Sequence, residues 1–206
     1  MAGSRGERGA RVGVLALQGA FREHVRALRD VGLDAVEVRQ PRDLEGLSGL
    51  VIPGGESTTM SKLMTAYGLE EPIRGLHDGG APIFGTCAGM ILIARRAVDG
   101  QPGQRTLGLI DIDVRRNAFG RQVASFEADL ELAGDDVPMT GVFIRAPWIE
   151  CAGEGVDVLA RHGGHGVAAR QGRVLVTAFH PELTDDRRLH RLFAAMVASA
   201  REAVAA

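Results

Sequence analysis

The chain lacks most of what would mark a secreted, membrane-bound or nucleic-acid-binding protein. Its 206 residues include two cysteines, Cys87 and Cys151, too few for a disulfide framework and suited to a reducing cytosol. No apolar run is long enough to span a bilayer. Neither sign of charge dominates: 24 Lys and Arg against 26 Asp and Glu leave a net charge of −2. That balance offers no polybasic surface, so neither nucleic acid nor an anionic membrane is expected as a partner. The opening MAGSRGERGA has no apolar centre of the kind a signal peptide needs, and reads as a disordered leader over 1–10. Internal repeats and low-complexity linkers are missing too. What is left, 45% hydrophobic and 24% charged, is the composition of an ordinary globular protein. It predicts one domain over 11–206 with a substantial core, located in the cytoplasm.

The first half alternates short apolar strands with amphipathic helices. RVGVLAL, LDAVEVR and GLVIPGG read as buried strands, and PIF as the end of another. Between them lie a helix with Phe21, Val25 and Leu28 on one face, the stretch ESTTMSKLMTAYG, and EPIRGLHDGG. In the second, Ser57 or Thr58 is the expected cap, Gly68 the end, and Leu63 and Met64 the inward face. MILIARRAV is expected to be the helix after the Pro82 strand. From Leu107 to Val176 the chain turns strand-like, in LGLIDIDV, VASFEADLEL, TGVFIRA, VDVLARH, GVAARQG and RVLVTAF. RHGGHG and RQGR look like hairpin turns. Thr184 is placed to cap a last helix whose core stripe is Leu189, Phe193, Met196 and Val197. The prediction is a three-layer α/β fold: a mostly parallel central sheet flanked by helices, with an antiparallel extension.

In such sheets, sites form at the carboxyl ends of the strands. Gln18, Gly54-Gly55 and Cys87 each lie just past a strand. In GTCAGM, Gly85 and Gly89 bracket Thr86-Cys87-Ala88 between strand and helix, which is the nucleophile-elbow pattern with Cys in place of Ser. The turn exposes the sulfur at a helix N-terminus, where free N–H groups and the dipole favour a thiolate. A buried structural cysteine is the competing reading of that stretch alone. FHPEL supplies the rest: His180 ends a strand on the same edge as a general base. Glu182, two residues on in an extended segment, faces the same way and reaches its ring. The implied triad is Cys87, His180 and Glu182. The N–H of Ala88 and the glycines of IPGGES are candidate oxyanion donors.

PGGES, GTCAGM and FHPEL together resemble the class I, triad-type glutamine amidotransferases, a flavodoxin-like group. More narrowly, LALQGAFREH, PGGEST, GTCAGM, RRNAFGRQ, FEADL, FIRAPWIE and FHPELT are similar to glutaminase subunits of pyridoxal 5′-phosphate synthases. These matches run in order from Leu15 to Thr184, and RRNAFGRQ with FIRAP is the part specific to the narrower group. Trp148 stands where many relatives would have His. The resemblance implies hydrolysis of L-glutamine to glutamate and ammonia through a thioester on Cys87. Ammonia would pass to a separate synthase subunit that makes pyridoxal 5′-phosphate. It implies that glutamine is held by Gly54, Gly55 and Glu56, by Arg116, and by Ile144 and Arg145. Gln18 would help complete the oxyanion hole beside Gly54, Gly55 and Ala88. No metal and no cofactor are implied.

Other readings stay open on sequence grounds: a glutaminase serving a different synthase, a Cys-His-Glu peptidase or chaperone, or a catalytically dead subunit. Cys151 has no elbow or neighbouring base and reads as inert. His162 and His165 flank two glycines and read as a hairpin turn rather than a metal site. His24, His77 and His190, beside charged residues on helices, read as surface positions, and Arg187-Arg188 as a solvated face.

Overall fold

The computed structural model describes residues 10–100, 103–120 and 125–205; the expected leader and part of RRNAFGRQ lie largely outside them. The β-branched run at the start forms β1 (Arg11–Leu15), followed by α1 (Phe21–Asp30) and β2 (Asp34–Val38). A short 3-10 turn, Pro41–Leu44, leads to β3 (Leu50–Ile52), α2 (Ser57–Ala66), α3 (Glu70–Asp78) and β4 (Ile83–Thr86). After Cys87 come α4 (Ala88–Ile93), β5 (Ala94–Ala97), β6 (Ile110–Arg115) and β7 (Ser125–Leu130). The remainder is β8 (Met139–Ile144), β9 (Trp148–Ala152), β10 (Asp157–His162), β11 (His165–Gln171), β12 (Val174–Thr177) and α5 (Arg188–Ala205).

One ten-stranded sheet runs in the order β2-β1-β3-β4-β12-β11-β9-β6-β5, with β10 paired to β11. Its first five strands are parallel, with β12 in register beside β4 from Val174↔Ile83 to Thr177↔Thr86. The antiparallel extension follows through β11, β9 and β6. Helices cover both faces. Successive strand residues point to opposite sides, and β4 shows it. Phe84 meets His24 of α1 and Phe193 of α5, while the face of its neighbour Gly85 lies against Ile93 and Gly89 of α4. Strands β3, β4 and β12 are buried along their whole length because both faces are covered.

Several expectations are corrected. MILIARRAV is helical only to Ile93; Ala94–Ala97 is a strand parallel to β6, where Arg95 and Arg96 pair with Asp113. The all-apolar half stays in the core, and the two arginines take cross-strand partners instead of a helix surface. β9 has no counterpart among the expected strands, and β7 pairs only with β8 in a separate two-stranded sheet. The cap of α2 is the carboxylate of Glu56, accepting from the Thr58 and Thr59 N–H groups at 3.1 and 2.7 Å. Its buried apolar positions are Met60 and Met64, with Leu63 only partly covered. At α5, Asp186 rather than Thr184 accepts the Arg188 N–H, at 2.9 Å. Arg187 and Arg188 are not a solvated face: the first binds Asp30, the second Asp186, Asp135 and the carbonyl of Pro138. His24 and His190 are wholly buried, because their helix faces turn towards each other across Phe84.

Candidate active site

Because β1, β3, β4 and β12 are parallel, the segments that leave their carboxyl ends meet at one rim. The sharpest exit follows β4. Cys87 has φ 49° and ψ −105°, a left-handed φ that an L side chain adopts only when the surroundings enforce it. The enforcement is visible in backbone contact. A Cβ on Gly89 would fall 1.9 Å from the carbonyl oxygen of Ile52, and one on Gly85 would fall 2.8 Å from the carbonyl carbon of Gly89. Two glycines therefore let α4 press directly onto β3 and β4, and the chain between them has no relaxed path. The Cys87 N–H donates to the Thr177 carbonyl at 2.8 Å. That bond ties the nucleophile candidate to the strand leading into His180.

His180 is fixed from several sides. Its backbone N–H donates to the Val142 carbonyl of β8 at 2.9 Å. Its Nδ1 lies 2.7 Å from Glu182 Oε1. The segment is not extended, as the sequence suggested. Pro181–Leu183 forms a 3-10 turn, and this turn swings the Glu182 carboxylate back to the ring. Gly54 packs against the Cε1 edge of the ring, where a Cβ would sit 2.2 Å from Cε1. Cys87 and His180 line a common cleft of about 230 Å³ with Gln18, Gly55, Glu56, Ala88, Arg116, Ile144 and Arg145. That is below the roughly 300–1,000 Å³ of sites for drug-sized ligands, so the cleft suits a small polar molecule.

Electrostatics sort the acid from the base. Burial alone would push the His180 imidazole down, but the Cys87 sulfur and Glu182 outweigh it and raise the ring to about 10. Burial would likewise raise Glu182, but the His24 and His180 rings outweigh it and hold the carboxyl well below the usual carboxylate range. The result is a buried, ionised carboxylate behind a readily protonated imidazole beside a thiol.

Comparison with known proteins gives the family. A model of the SNO glutamine amidotransferase family matches residues 14–199. The chain belongs to the SNO glutamine amidotransferase family. A protein of Acidothermus cellulolyticus named pyridoxal 5′-phosphate synthase subunit PdxT is 62% identical over 195 residues, covering 92% of this chain and 94% of the relative. A protein of the same name from Mycobacterium avium is 60% identical over 190 residues, covering 91% and 96%. Among solved structures, one described as a glutamine amidotransferase superposes with a TM-score of 0.85 at 54% identity, covering 91% of this chain and 98% of that one. A putative GMP synthase component from Thermoplasma acidophilum shares the fold, with a TM-score of 0.71 at 19% identity over 96% and 98% of the two chains. The sheet and its helices are thus those of the class I, flavodoxin-like glutamine amidotransferases.

In this glutamine amidotransferase the remaining candidates are unevenly placed. Ala88 is the first residue of α4, so its N–H has no intrahelical acceptor. Arg116 is largely covered; it donates to Gln104 Oε1 at 2.9 Å and stands 3.6 Å from Glu56 Oε1. Burial alone would raise Glu56, but its bonds from Thr59 and Thr58 win and hold it at about 2. Gln18 reaches the cleft, with its Oε1 accepting the Glu56 N–H at 3.2 Å. Ile144 presents its carbonyl 3.8 Å from the Cys87 sulfur. Sequence reasoning missed Asn117 and Ser57, which also line the cleft. Asn117 could have been found: Cys87, Asn117 and Arg145 are the non-glycine residues with positive φ among those described, all on this cleft. Asn is the side chain that best tolerates such a turn. Cys151 is exposed on β9. His162 and His165 bound the β10–β11 hairpin, with His165 stacked on Trp148 at 3.6 Å.

Proposed function

We propose that this chain is the glutaminase subunit of a pyridoxal 5′-phosphate synthase: it hydrolyses L-glutamine and hands the ammonia to a synthase subunit. The observation carrying the chemistry is the 2.7 Å His180–Glu182 bond beside Cys87 on a strained elbow. The relatives' names, at 62% and 60% identity, support the choice of synthase. Cys87 attacks the side-chain amide carbon as a thiolate. Ala88 and the Gly54-Gly55 loop, with Gln18, stabilise the oxyanion that forms. His180 gives its proton to the departing ammonia, leaving a thioester on the sulfur. It then removes a proton from water, whose oxygen attacks the thioester carbon and releases glutamate and the thiol. Glu182 orients the ring and stabilises its cation. Glutamine's two charged α-groups meet complementary charges: Arg116 and Arg145 for the carboxylate and Glu56 for the ammonium, with Ile144 beside the backbone rim.

On this reading residues 11–206 work as one glutaminase domain in the cytoplasm, and no described helix is long and apolar enough to cross a membrane. Cys87→Ala, mixed with a synthase subunit, tests it. Product formation from glutamine should fall by about 10⁶, while formation from added ammonium salt persists. Unimpaired glutamine-dependent synthesis by that variant would overturn the assignment.

A further inference from the structure

Behind the three residues assigned to the chemistry lies a second buried titratable pair that the reaction does not use. His24 of α1 and His190 of α5 have 0% exposure. His24 Nδ1 is 3.1 Å from His190 Nε2, and its Nε2 faces two oxygens, Thr86 Oγ1 at 3.0 Å and Glu182 Oε2 at 3.2 Å. Thr86 is the better aligned of the two. Glu182 Oε2 has no hydrogen-bond partner among the described residues, and the His24 ring is the polar group that faces it, at 3.2 Å.

The proton positions follow from the network. An ionised carboxylate only accepts, so His24 carries a proton on Nε2. Burial pushes His190 down to about 3, with Glu182 and Asp186 pulling the other way and Arg187 adding to the fall. His190 is therefore neutral and holds one proton. On Nε2 that proton bonds His24 Nδ1 and leaves His190 Nδ1, the atom with no partner, as a bare lone pair. Donors thus point one way: His190 to His24, His24 towards Glu182, and His180 to Glu182 from the other side.

We infer that His24 is a positioning residue for the hydrolysis: it clamps the free oxygen of Glu182 so that the carboxylate keeps His180 aimed at Cys87, and His190 fixes which His24 nitrogen bears the proton. The inference rests on the Cys87–His180–Glu182 reading. A carboxylate's terminal torsion is broad; held by one oxygen alone, Glu182 would swing and His180 with it. The clamp also spans three elements, since Thr86 precedes the nucleophile on β4.

Two amide variants of the full chain separate clamping from packing. His24→Gln puts an amide near the Nε2 position, towards Glu182. His24→Asn puts it near Nδ1, towards His190. With the synthase subunit present, kcat for glutamine should fall about tenfold or more in the Asn variant, with KM little changed, and recover to within about threefold of wild type in the Gln variant. The pH midpoint of Cys87 alkylation by iodoacetamide should rise by about one unit in the Asn variant only, because a weaker carboxylate supports the His180 cation less. Equal losses in both variants, or a wild-type midpoint for His24→Asn, would overturn the inference. Nitrogen NMR of the histidine-labelled wild-type chain needs no variant to fold: His24 should be protonated at Nε2, and a ring protonated at Nδ1 alone refutes the clamp. Cys87→Ala run alongside keeps the two readings apart. If it still hydrolyses glutamine, the triad itself is wrong; if it is dead while His24→Asn behaves as wild type, only His24 is.

Discussion

Adding one methyl group at Gly54 should disable the enzyme without replacing any side chain named in the chemistry. The new Cβ would stand 2.2 Å from His180 Cε1, 2.9 Å from Nδ1 and 3.2 Å from Nε2. Carbon atoms in ordinary contact sit about 3.5–4.0 Å apart, so the ring must withdraw by at least about 1.3 Å, the difference between 3.5 and 2.2 Å. It has little freedom to do so, being held by Glu182 at 2.7 Å and by its own N–H on Val142 at 2.9 Å. Displacing a reacting group by an ångström costs about 10²-fold in rate, or about 2.7 kcal/mol at 1.36 per decade. Steady-state glutamine hydrolysis in the presence of the synthase subunit reads this directly. Gly75→Ala is the matched control, since a Cβ there meets nothing within 4 Å. In a helix interior it should raise stability by about 0.5–1 kcal/mol and leave kcat alone. A Gly54→Ala enzyme within threefold of wild type would refute the packing of that ring against this loop.

Other consequences are as direct. Gly89→Ala should fail to accumulate as folded protein, because its methyl meets a backbone carbonyl at 1.9 Å; circular dichroism of the purified variant decides. Arg116→Ala should raise KM for glutamine at least about tenfold with a smaller change in kcat, as loss of a charged contact to a substrate carboxylate does. Stability should depend on pH, and two of the groups that contribute are His180 and Glu56. His180 is raised to about 10, so its contribution is complete below pH 6.5 and disappears as pH climbs through 10. Glu56 is lowered to about 2, so its contribution is complete above pH 4.5 and disappears as pH falls towards 2. Melting temperatures across that range should show both limbs, and Glu56→Ala should shrink the acid one, which Glu182 and other lowered carboxylates still carry, while costing about 1 kcal/mol as a lost helix cap.

Much of this could be read from the chain because the informative residues are local. The buried strands of the first half declare themselves by continuous apolar runs, and their parallel pairing puts Gln18, Gly54, Cys87 and His180 at one rim. What escaped reading depends on distant contact. Ala94–Ala97 continues a helical apolar pattern, and only its partner Asp113 on β6 makes it a strand. His24 and His190 carry charged neighbours and look solvated; they are 166 residues apart, and nothing in either helix announces the other. Likewise the H-P-E spacing pointed to the right pair of side chains through the wrong conformation, an extended segment where the chain makes a 3-10 turn.

The elbow has one more consequence, for what the core can tolerate. The cysteine's place relative to β3 is set by main chain resting on main chain, at Gly89 on Ile52 and Gly85 on Gly89, and such a seat has no rotamers through which to drift. Core methyls around Met60, Met64 or Ile91 can be exchanged and repacked by neighbouring side chains, yet the sulfur should keep its station as though mounted on the sheet itself. A lineage could therefore remodel the interior extensively and never retune its nucleophile, provided two hydrogen atoms at positions 85 and 89 were never traded for carbon.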